Sequence, residues 1–237
     1  MGRAYEVRKA SIQKEGAAKG KLYTTFAKEI YLIARNNPEV ESNVELKRII
    51  DKAKKAEVPQ DIIKRAVEKA KGKDKDDYKE NYYEGFGPAG STFIVKTLTD
   101  NVNRTVGKVR AAFNKHGKSL GVQGSVSFNY DHLCVIEVKS EKFDEIFEKL
   151  VDAGIDLTEY KQEADLIEIN APTEYEKKIK DIIEELIPDV TFETDEVGYY
   201  AKEMIKLDGE DKENFDKLYK ALDDIDDVTE IYTNVEI

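Results

Sequence analysis

The spacing of apolar residues changes near residue 78, and this change constrains the fold more than any other feature of the chain. Before it, apolar residues recur every three or four positions, as they do on one face of a helix. The first such stripe is Leu22, Phe26, Ile30 and Ile33. After residue 78, short apolar runs typical of strands alternate with helical patterns. One chain is therefore expected to combine a helical part with an α+β part.

Two more helices are predicted before the change of spacing. Ser42 followed by Glu45 is a capping-box pattern and opens the second helix. Pro59 lies where a first helical turn tolerates proline, and the third helix ends near Gly72. Residues 1–21 are basic and poor in apolar anchors, which predicts an arm that is ordered only on a partner. We call residues 1–78 the head and expect a small bundle there.

The rest of the chain, called the body, predicts alternating strands and helices. Residues 91–99 predict a strand, 102–116 a helix and 124–130 a strand. From Leu133 to about residue 195 the predicted order is βαββαβ, that of a ferredoxin-like unit. A final βαβ follows, with predicted elements at 201–207, 210–223 and 228–236.

The final βαβ has no sheet of its own, so we expect it to pair with the segment 80–130. The predicted fold class is α+β, with an N-terminal three-helix bundle and two α+β domains, one ferredoxin-like and inserted into the other. The predicted domains are 1–78, 79–132 together with 199–237, and 133–198. Three successive domains are the alternative.

Charge is divided unevenly along the chain. Residues 1–72 hold 17 Lys or Arg and 10 Asp or Glu, a net charge of +7. The remaining residues hold 21 and 39, a net charge of −18. A polyanion would attract the head and repel the body, so binding would be oriented. The alternative is a chance division, since helical surfaces are often rich in lysine.

Several functional classes are disfavoured. No apolar stretch approaches the ~20 residues of a membrane span, and residues 1–6 do not resemble a secretory signal. We therefore expect a cytoplasmic protein without a membrane partner. The single cysteine, Cys134, excludes an internal disulfide, and no Cys/His set has metal spacing. No cofactor, metal, catalytic residue or small-molecule substrate is expected, and we predict a monomer that is not an enzyme.

Residues 85–90 match the dinucleotide-binding pattern G-x-G-x-x-G. That site needs a helix after the glycines to direct amide groups at pyrophosphate. Here a strand is predicted to follow, and Pro88 lacks an amide hydrogen. A turn is the preferred interpretation, and the role of this loop stays open.

Two basic regions suggest phosphate contacts. Arg48, Lys52 and Lys55 share one helical face, and Arg104 and Lys108 follow the polar segment Thr99–Thr105, whose own role stays open. Lysine and arginine bind phosphates with salt-sensitive affinity, whatever the base sequence. The predicted nucleic-acid-binding residues are Arg3, Arg8, Lys9, Lys14, Lys19, Lys21, Arg48, Lys52, Lys55, Arg65, Lys69, Arg104 and Lys108.

Motifs along nearly the whole chain resemble the YebC/PmpR family of probable transcriptional regulators, which includes the mitochondrial translational activator of cytochrome c oxidase. The resemblance implies a helical domain and two α+β domains, one ferredoxin-like and inserted in the other. The usual His-Ser-Lys-Trp opening is replaced by Met1–Tyr5, as in a second branch of the family. The matching stretches are Glu29-Ile30-Tyr31, Asp51-Lys52-Ala53-Lys54, Val58-Pro59, Tyr83–Pro88, Leu98–Thr105, Phe113–Gly117, Gly124-Ser125-Val126, Asp226-Asp227-Val228 and Tyr232-Thr233-Asn234.

The resemblance implies one of two partners. Family members are described as DNA-binding regulators of transcription, or look like ribosome-associated factors that help translation through difficult sequences such as proline runs. DNA is our first hypothesis, and the ribosome with its RNA is the alternative. A protein-interaction adaptor is a third hypothesis, suggested by the acidic faces of the body.

Overall fold

The computed structural model describes residues 19–72, 77–116 and 119–236, which belong to two compact units. One unit is Tyr130–Lys202, and the other contains the described residues on both sides of it in the chain. Helices of the head and strands of the body thus share a unit. The division into three domains stays a proposal.

The three predicted helices of the head are present as α1 (Lys19–Asn36), α2 (Val44–Lys55) and α3 (Gln60–Lys71). Their shared core is formed by Phe26, Ile30, Leu46, Ile50 and Ile63, among others. Leu22, assigned to the apolar stripe, is instead 39% exposed.

The predicted cap of α2 is wrong by one residue. Ser42 belongs to a short 3₁₀ turn, and its hydroxyl donates to the carbonyl of Glu39 at 3.3 Å. Asn43 caps α2 instead, since its Oδ1 accepts a hydrogen bond from the amide of Leu46 at 3.0 Å.

The unit that contains the head has a four-stranded antiparallel sheet, in the order β3-β1-β2-β8. Helices α4 (Val102–Lys115) and α7 (Gly209–Asp223) cover one face of it. Phe93 packs edge-on to Phe113 at 5.9 Å and stacks on Phe215 at 5.2 Å between ring centroids. The strands are β1 (Lys79–Phe86), β2 (Thr92–Thr99), β3 (Ser119–Leu120) and β8 (Val228–Thr233).

Two predicted strands of this unit are absent, and two strands, β1 and the two-residue β3, were not predicted. Residues 124–129 form a turn and a 3₁₀ helix. Within residues 201–207, Ala201 is the last residue of the preceding strand, and Ile205 forms an isolated bridge with Val235. Strand β1 escaped detection because its sequence, KENYYEGF, mixes charged and aromatic residues, and only Glu84 and Gly85 in it are buried.

The unit Tyr130–Lys202 has the predicted order of strand, helix, two strands, helix and strand. Its sheet is antiparallel in the order β5-β6-β4-β7. Ile136, Ile146, Leu150, Ile169 and Ile183 are fully buried in its core. The α+β class is confirmed. The elements are β4 (Tyr130–Lys139), α5 (Phe143–Asp152), β5 (Glu159–Glu163), β6 (Leu166–Pro172), α6 (Glu176–Leu186) and β7 (Phe192–Ala201).

A buried carboxylate, Asp227, joins the head to the sheet. It lies just before β8, is 4% exposed, and accepts from the hydroxyl of Thr105 at 2.8 Å. Lys28 of α1 lies 3.4 Å away and Arg104 of α4 lies 3.2 Å away. The segment Thr99–Thr105 is rich in polar side chains because it surrounds this carboxylate: the hydroxyl of Thr105 also lies 2.8 Å from that of Thr99.

Burial by itself would raise the pKa of Asp227, but the hydrogen bonds from Thr105 and Arg104 and the charge of Lys28 hold it below its usual value. A carboxylate whose folded pKa is lowered stabilises the fold above its unfolded pKa. This stabilisation is lost as the pH falls through the folded pKa.

We expect Asp227→Asn to lower the free energy of unfolding at pH 7 by about 2 kcal/mol, because two cations lose their buried partner. Urea denaturation of both proteins checks this, and the difference should shrink below about pH 4. The exposed neighbour provides the control Asp226→Asn, which should change stability little. Equal effects of the two variants would contradict the assignment.

Candidate nucleic-acid interface

The predicted binding residues divide between several helices. Arg3, Arg8, Lys9 and Lys14 lie outside the described residues. Lys19 and Lys21 are in the first turn of α1, and Lys108 is exposed on α4. The others lie on α2, α3 and α4, as Arg48, Lys52, Lys55, Arg65, Lys69 and Arg104.

Lys21 contacts the body. Its ammonium group donates to the backbone carbonyl of Asp223 and lies 3.7 Å from that residue's carboxylate. Asp223 is the last residue of α7, where the helix dipole favours a cation. Lys21 therefore ties the start of α1 to the end of α7.

Arg48 and Lys52 also belong to the contact between head and sheet. The Nζ of Lys52 lies 3.9 Å from Oε1 of Glu230 on β8. The side chain of Arg48 is only 16% exposed, and its charge helps to lower the pKa of Glu230. Lys96 of β2 lies 3.3 Å from Glu80 and 3.9 Å from Glu230. Glu29 of α1 interacts electrostatically with Glu230, Lys96 and Lys52. We call these four residues the interface cluster.

Charges in the interface cluster perturb one another strongly. Burial would raise the pKa of Glu230, but Lys52 and Lys96, with a hydrogen bond from the hydroxyl of Tyr232, lower it. Burial would lower the pKa of Lys96, yet the carboxylates of Glu230, Glu29 and Glu80 raise it. Burial and the neighbouring Glu230 raise the pKa of Glu29 to about 7, despite the two lysines.

These contacts change the interpretation of the helical face formed by Arg48, Lys52 and Lys55. Reversing the charges of Arg48 and Lys52 would disturb how the head docks on the sheet, whatever it does to nucleic acid. Arg104 is likewise paired, with Asp100 at 2.7 Å and Asp227 at 3.2 Å. Head cations thus face body carboxylates, which the apolar spacing and the charge division of the sequence did not predict. The available signal was a lone lysine, Lys96, within the otherwise apolar strand TFIVKTLT.

Other cations of the head are exposed to solvent. Lys55 ends α2, and Lys64 and Arg65 are exposed on α3. Lys69 lies over the ring of Tyr31, 5.5 Å from its centroid. We call Lys55, Lys64 and Arg65 the head surface and treat it as a candidate surface for phosphate.

The described residues give little support to a reactive thiol or a metal site. Burial raises the pKa of the Cys134 thiol to about 12, so it stays protonated and unreactive at neutral pH. Within residues 19–72, 77–116 and 119–236, no group of three His, Cys, Asp or Glu side chains is placed to hold a metal ion. In the same ranges, no helix has the length and apolarity that a bilayer crossing requires.

We expect Glu29→Gln to raise the melting temperature of the head-containing unit at pH 8 by about 3 °C. Because the folded pKa of Glu29, about 7, exceeds its ordinary value of 4.5, this carboxyl destabilises the fold increasingly as the pH rises from the unfolded pKa to the folded pKa. At about pH 4 Glu29 is largely protonated in both the folded and the unfolded chain, so the variant should melt close to the parent. Thermal unfolding at the two pH values checks this, with exposed Glu41→Gln as control. An equal gain at both pH values would contradict it.

Comparison with known proteins places the chain in a family. Residues 3–73 match the model of the TACO1/YebC protein N-terminal domain, and residues 78–235 match that of the TACO1/YebC second and third domain.

Individual relatives agree over full length. Probable transcriptional regulatory proteins of Vibrio parahaemolyticus and Acholeplasma laidlawii are each 42% identical to this chain, covering 100% and 98% of those proteins and 100% and 99% of this chain. The crystal structure of a conserved hypothetical protein from Aquifex aeolicus superposes with a TM-score of 0.72 at 32% identity, covering 94% of this chain and 92% of that one. The chain therefore belongs to the TACO1/YebC family.

Proposed function

We propose that this protein regulates gene expression by binding DNA, without catalysing a reaction. The observation that carries the proposal is the separation of charge, +7 in residues 1–72 against −18 in the rest of the chain. Its full-length relatives are named probable transcriptional regulatory proteins, which supports the same conclusion.

The head surface supplies the phosphate contacts in this proposal. Each lysine or arginine that reaches a phosphate releases counterions, so affinity falls as salt rises. The acidic body is repelled by the same polyanion, and this repulsion limits the poses in which the protein can dock. Lys21, Arg48, Lys52 and Arg104 serve a different purpose, because they bind carboxylates of their own chain.

Selectivity for a base sequence is expected to be weak. Residues 56–59 connect α2 to α3, a length found in helix-turn-helix motifs. However, Asp61 and Glu68 are exposed on α3 beside Lys64 and Arg65. Two carboxylates on that helix would be repelled by the phosphates that line a groove of duplex DNA, so they oppose close insertion of the helix. Contacts to the backbone should therefore dominate over contacts to base edges.

We expect the triple variant Lys55→Gln, Lys64→Gln, Arg65→Gln to bind duplex DNA more weakly than the parent. The plot of log affinity against log salt should become shallower by about 2.7, since each of the three lost phosphate contacts removes about 0.9. Fluorescence anisotropy with a labelled duplex, at several salt concentrations, measures both quantities.

A matched control removes the same charge elsewhere: Lys206→Gln, Lys217→Gln, Lys220→Gln, all exposed on the body. This control should keep the slope and lose little affinity. An unchanged slope in the head variant, or equal losses in the two variants, would remove the head surface from the proposal.

Ribosomal RNA is the second candidate partner. It is favoured by α4, which adds the exposed cations Lys108, Arg110 and Lys115 on the body. Sedimentation of the native protein through sucrose gradients separates the two candidates. Salt-sensitive migration with ribosomes, lost in the head variant, would favour RNA, whereas binding confined to duplex DNA would favour transcription.

A further inference from the structure

One side of the unit Tyr130–Lys202 leaves apolar side chains in solvent. Phe147 is 43% exposed and Val151 is 51% exposed, and within this fully described unit they are the large apolar residues whose side chains are exposed. They lie four residues apart on α5, so their side chains adjoin along the helix. Single exposed apolar residues are common, whereas adjacent ones mark a contact surface when other features of that surface agree. We call these two residues the apolar flank.

The apolar flank faces β5. The ring of Phe147 lies 5.2 Å from the ring of Tyr160 on β5, between centroids, and the ring of Phe143 lies 4.6 Å from it. Ile146 and Leu150, which directly precede the two members of the flank, are fully buried and fix α5 on the sheet. Helix α5 therefore extends its apolar surface from the core toward β5 and leaves the end of that surface in solvent.

Strand β5 is at the edge of its sheet. The sheet order is β5-β6-β4-β7, and within the described residues β5 pairs with β6 alone. One row of its backbone N–H and C=O groups therefore points away from the sheet, where another strand can pair with it. Such a strand would lie about 4.8 Å from β5, and every second side chain of it would be on the face that α5 covers. Those side chains would pack on Phe147 and Val151.

Acidic side chains border the apolar flank. Asp144, Glu148 and Asp152 recur every four residues, form the next row on the surface of α5, and are all exposed. Burial, together with the charge of Asp144, raises the pKa of the Tyr160 hydroxyl, so this row acts on the side of α5 that faces β5. Helix α5 and strand β5 together contain six carboxylates and two lysines, a net charge of −4. A complementary partner is therefore basic.

We propose that this edge binds a basic, extended segment of another protein as an additional strand. The backbone of the segment pairs with β5, its apolar side chains at every second position pack on the apolar flank, and its lysines or arginines meet the row of carboxylates. A second copy of this chain does not fit, because pairing β5 with itself would bring the carboxylates of two copies together. The same carboxylates would repel nucleic acid.

The test measures binding of a fluorescent peptide to the full chain by anisotropy. The peptide has nine residues, alternately lysine and valine, so it combines the charge and the apolar spacing that the edge requires. We expect Phe147→Ala with Val151→Ala to weaken binding about tenfold, because both side chains lose apolar contacts. The melting temperature and the duplex DNA affinity of this variant should match those of the parent, which shows that the chain is folded.

A second variant tests the same edge without changing an apolar contact. Neutralising the acidic row should weaken binding of the peptide and make it less sensitive to salt. This variant is Asp144→Asn, Glu148→Gln, Asp152→Asn. The control removes the same charge from exposed positions on α7 and should keep the parent affinity. The control is Glu210→Gln, Asp211→Asn, Glu213→Gln.

Strand pairing has its own measurements. Amide hydrogen exchange in residues 159–163, followed by mass spectrometry, should slow when the peptide binds, because amides at the outer edge gain acceptors. A peptide of the same sequence with every backbone amide N-methylated keeps its charge and its valines but loses its N–H donors. It should bind about tenfold more weakly than the unmodified peptide, since it cannot complete the pairing.

The outcomes distinguish this inference from the proposed function, on which it does not depend. Unchanged peptide binding in the apolar-flank variant, or equal losses in the acidic-row variant and its control, would overturn the site. Equal binding of the N-methylated peptide, or unchanged exchange in residues 159–163, would overturn strand pairing. A dimer of the parent chain that the apolar-flank variant cannot form would assign the edge to a second copy and contradict a basic partner. Failure of DNA binding in the parent would leave these results unaffected.

Discussion

The ionic contact between the head and the sheet governs the arrangement of this unit. Asp227 is surrounded by Lys28, Arg104 and Thr105, and the interface cluster lies on the neighbouring strands. Buried charges of this kind contribute little net stability unless each has its partners, but removing one partner is costly. The cluster therefore specifies which face of the head meets the sheet more than it stabilises the fold.

The division of charge along the sequence has two consequences in the structure. It predicted attraction of the head to a polyanion, and it also provides attraction of the head to its own acidic body. Lys21, Arg48 and Lys52 could not be assigned to the second role from the sequence, because their carboxylate partners lie about 180 to 200 residues away in the chain, in α7 and β8. Ion pairs across such separations leave no local pattern.

Elements with a strong local pattern were predictable. The helices of the head and the order of elements in the unit Tyr130–Lys202 follow from apolar spacing, since one face of each is buried. Strand β1 and the loop 121–129 were not predictable. Apolar and polar residues alternate over residues 126–130 as they do in a strand, but Glu84 accepts hydrogen bonds from amides that strand pairing would use. A distant carboxylate thus decided its conformation.

Glu84 fixes the loop in the same way that Asp227 fixes the segment Thr99–Thr105. Burial removes hydration from the Glu84 carboxylate, and three backbone amides of the loop replace the lost hydrogen bonds. These amides point at the carboxylate and so cannot pair with a neighbouring strand. In both places a buried carboxylate, rather than an apolar contact, determines the local conformation of the chain.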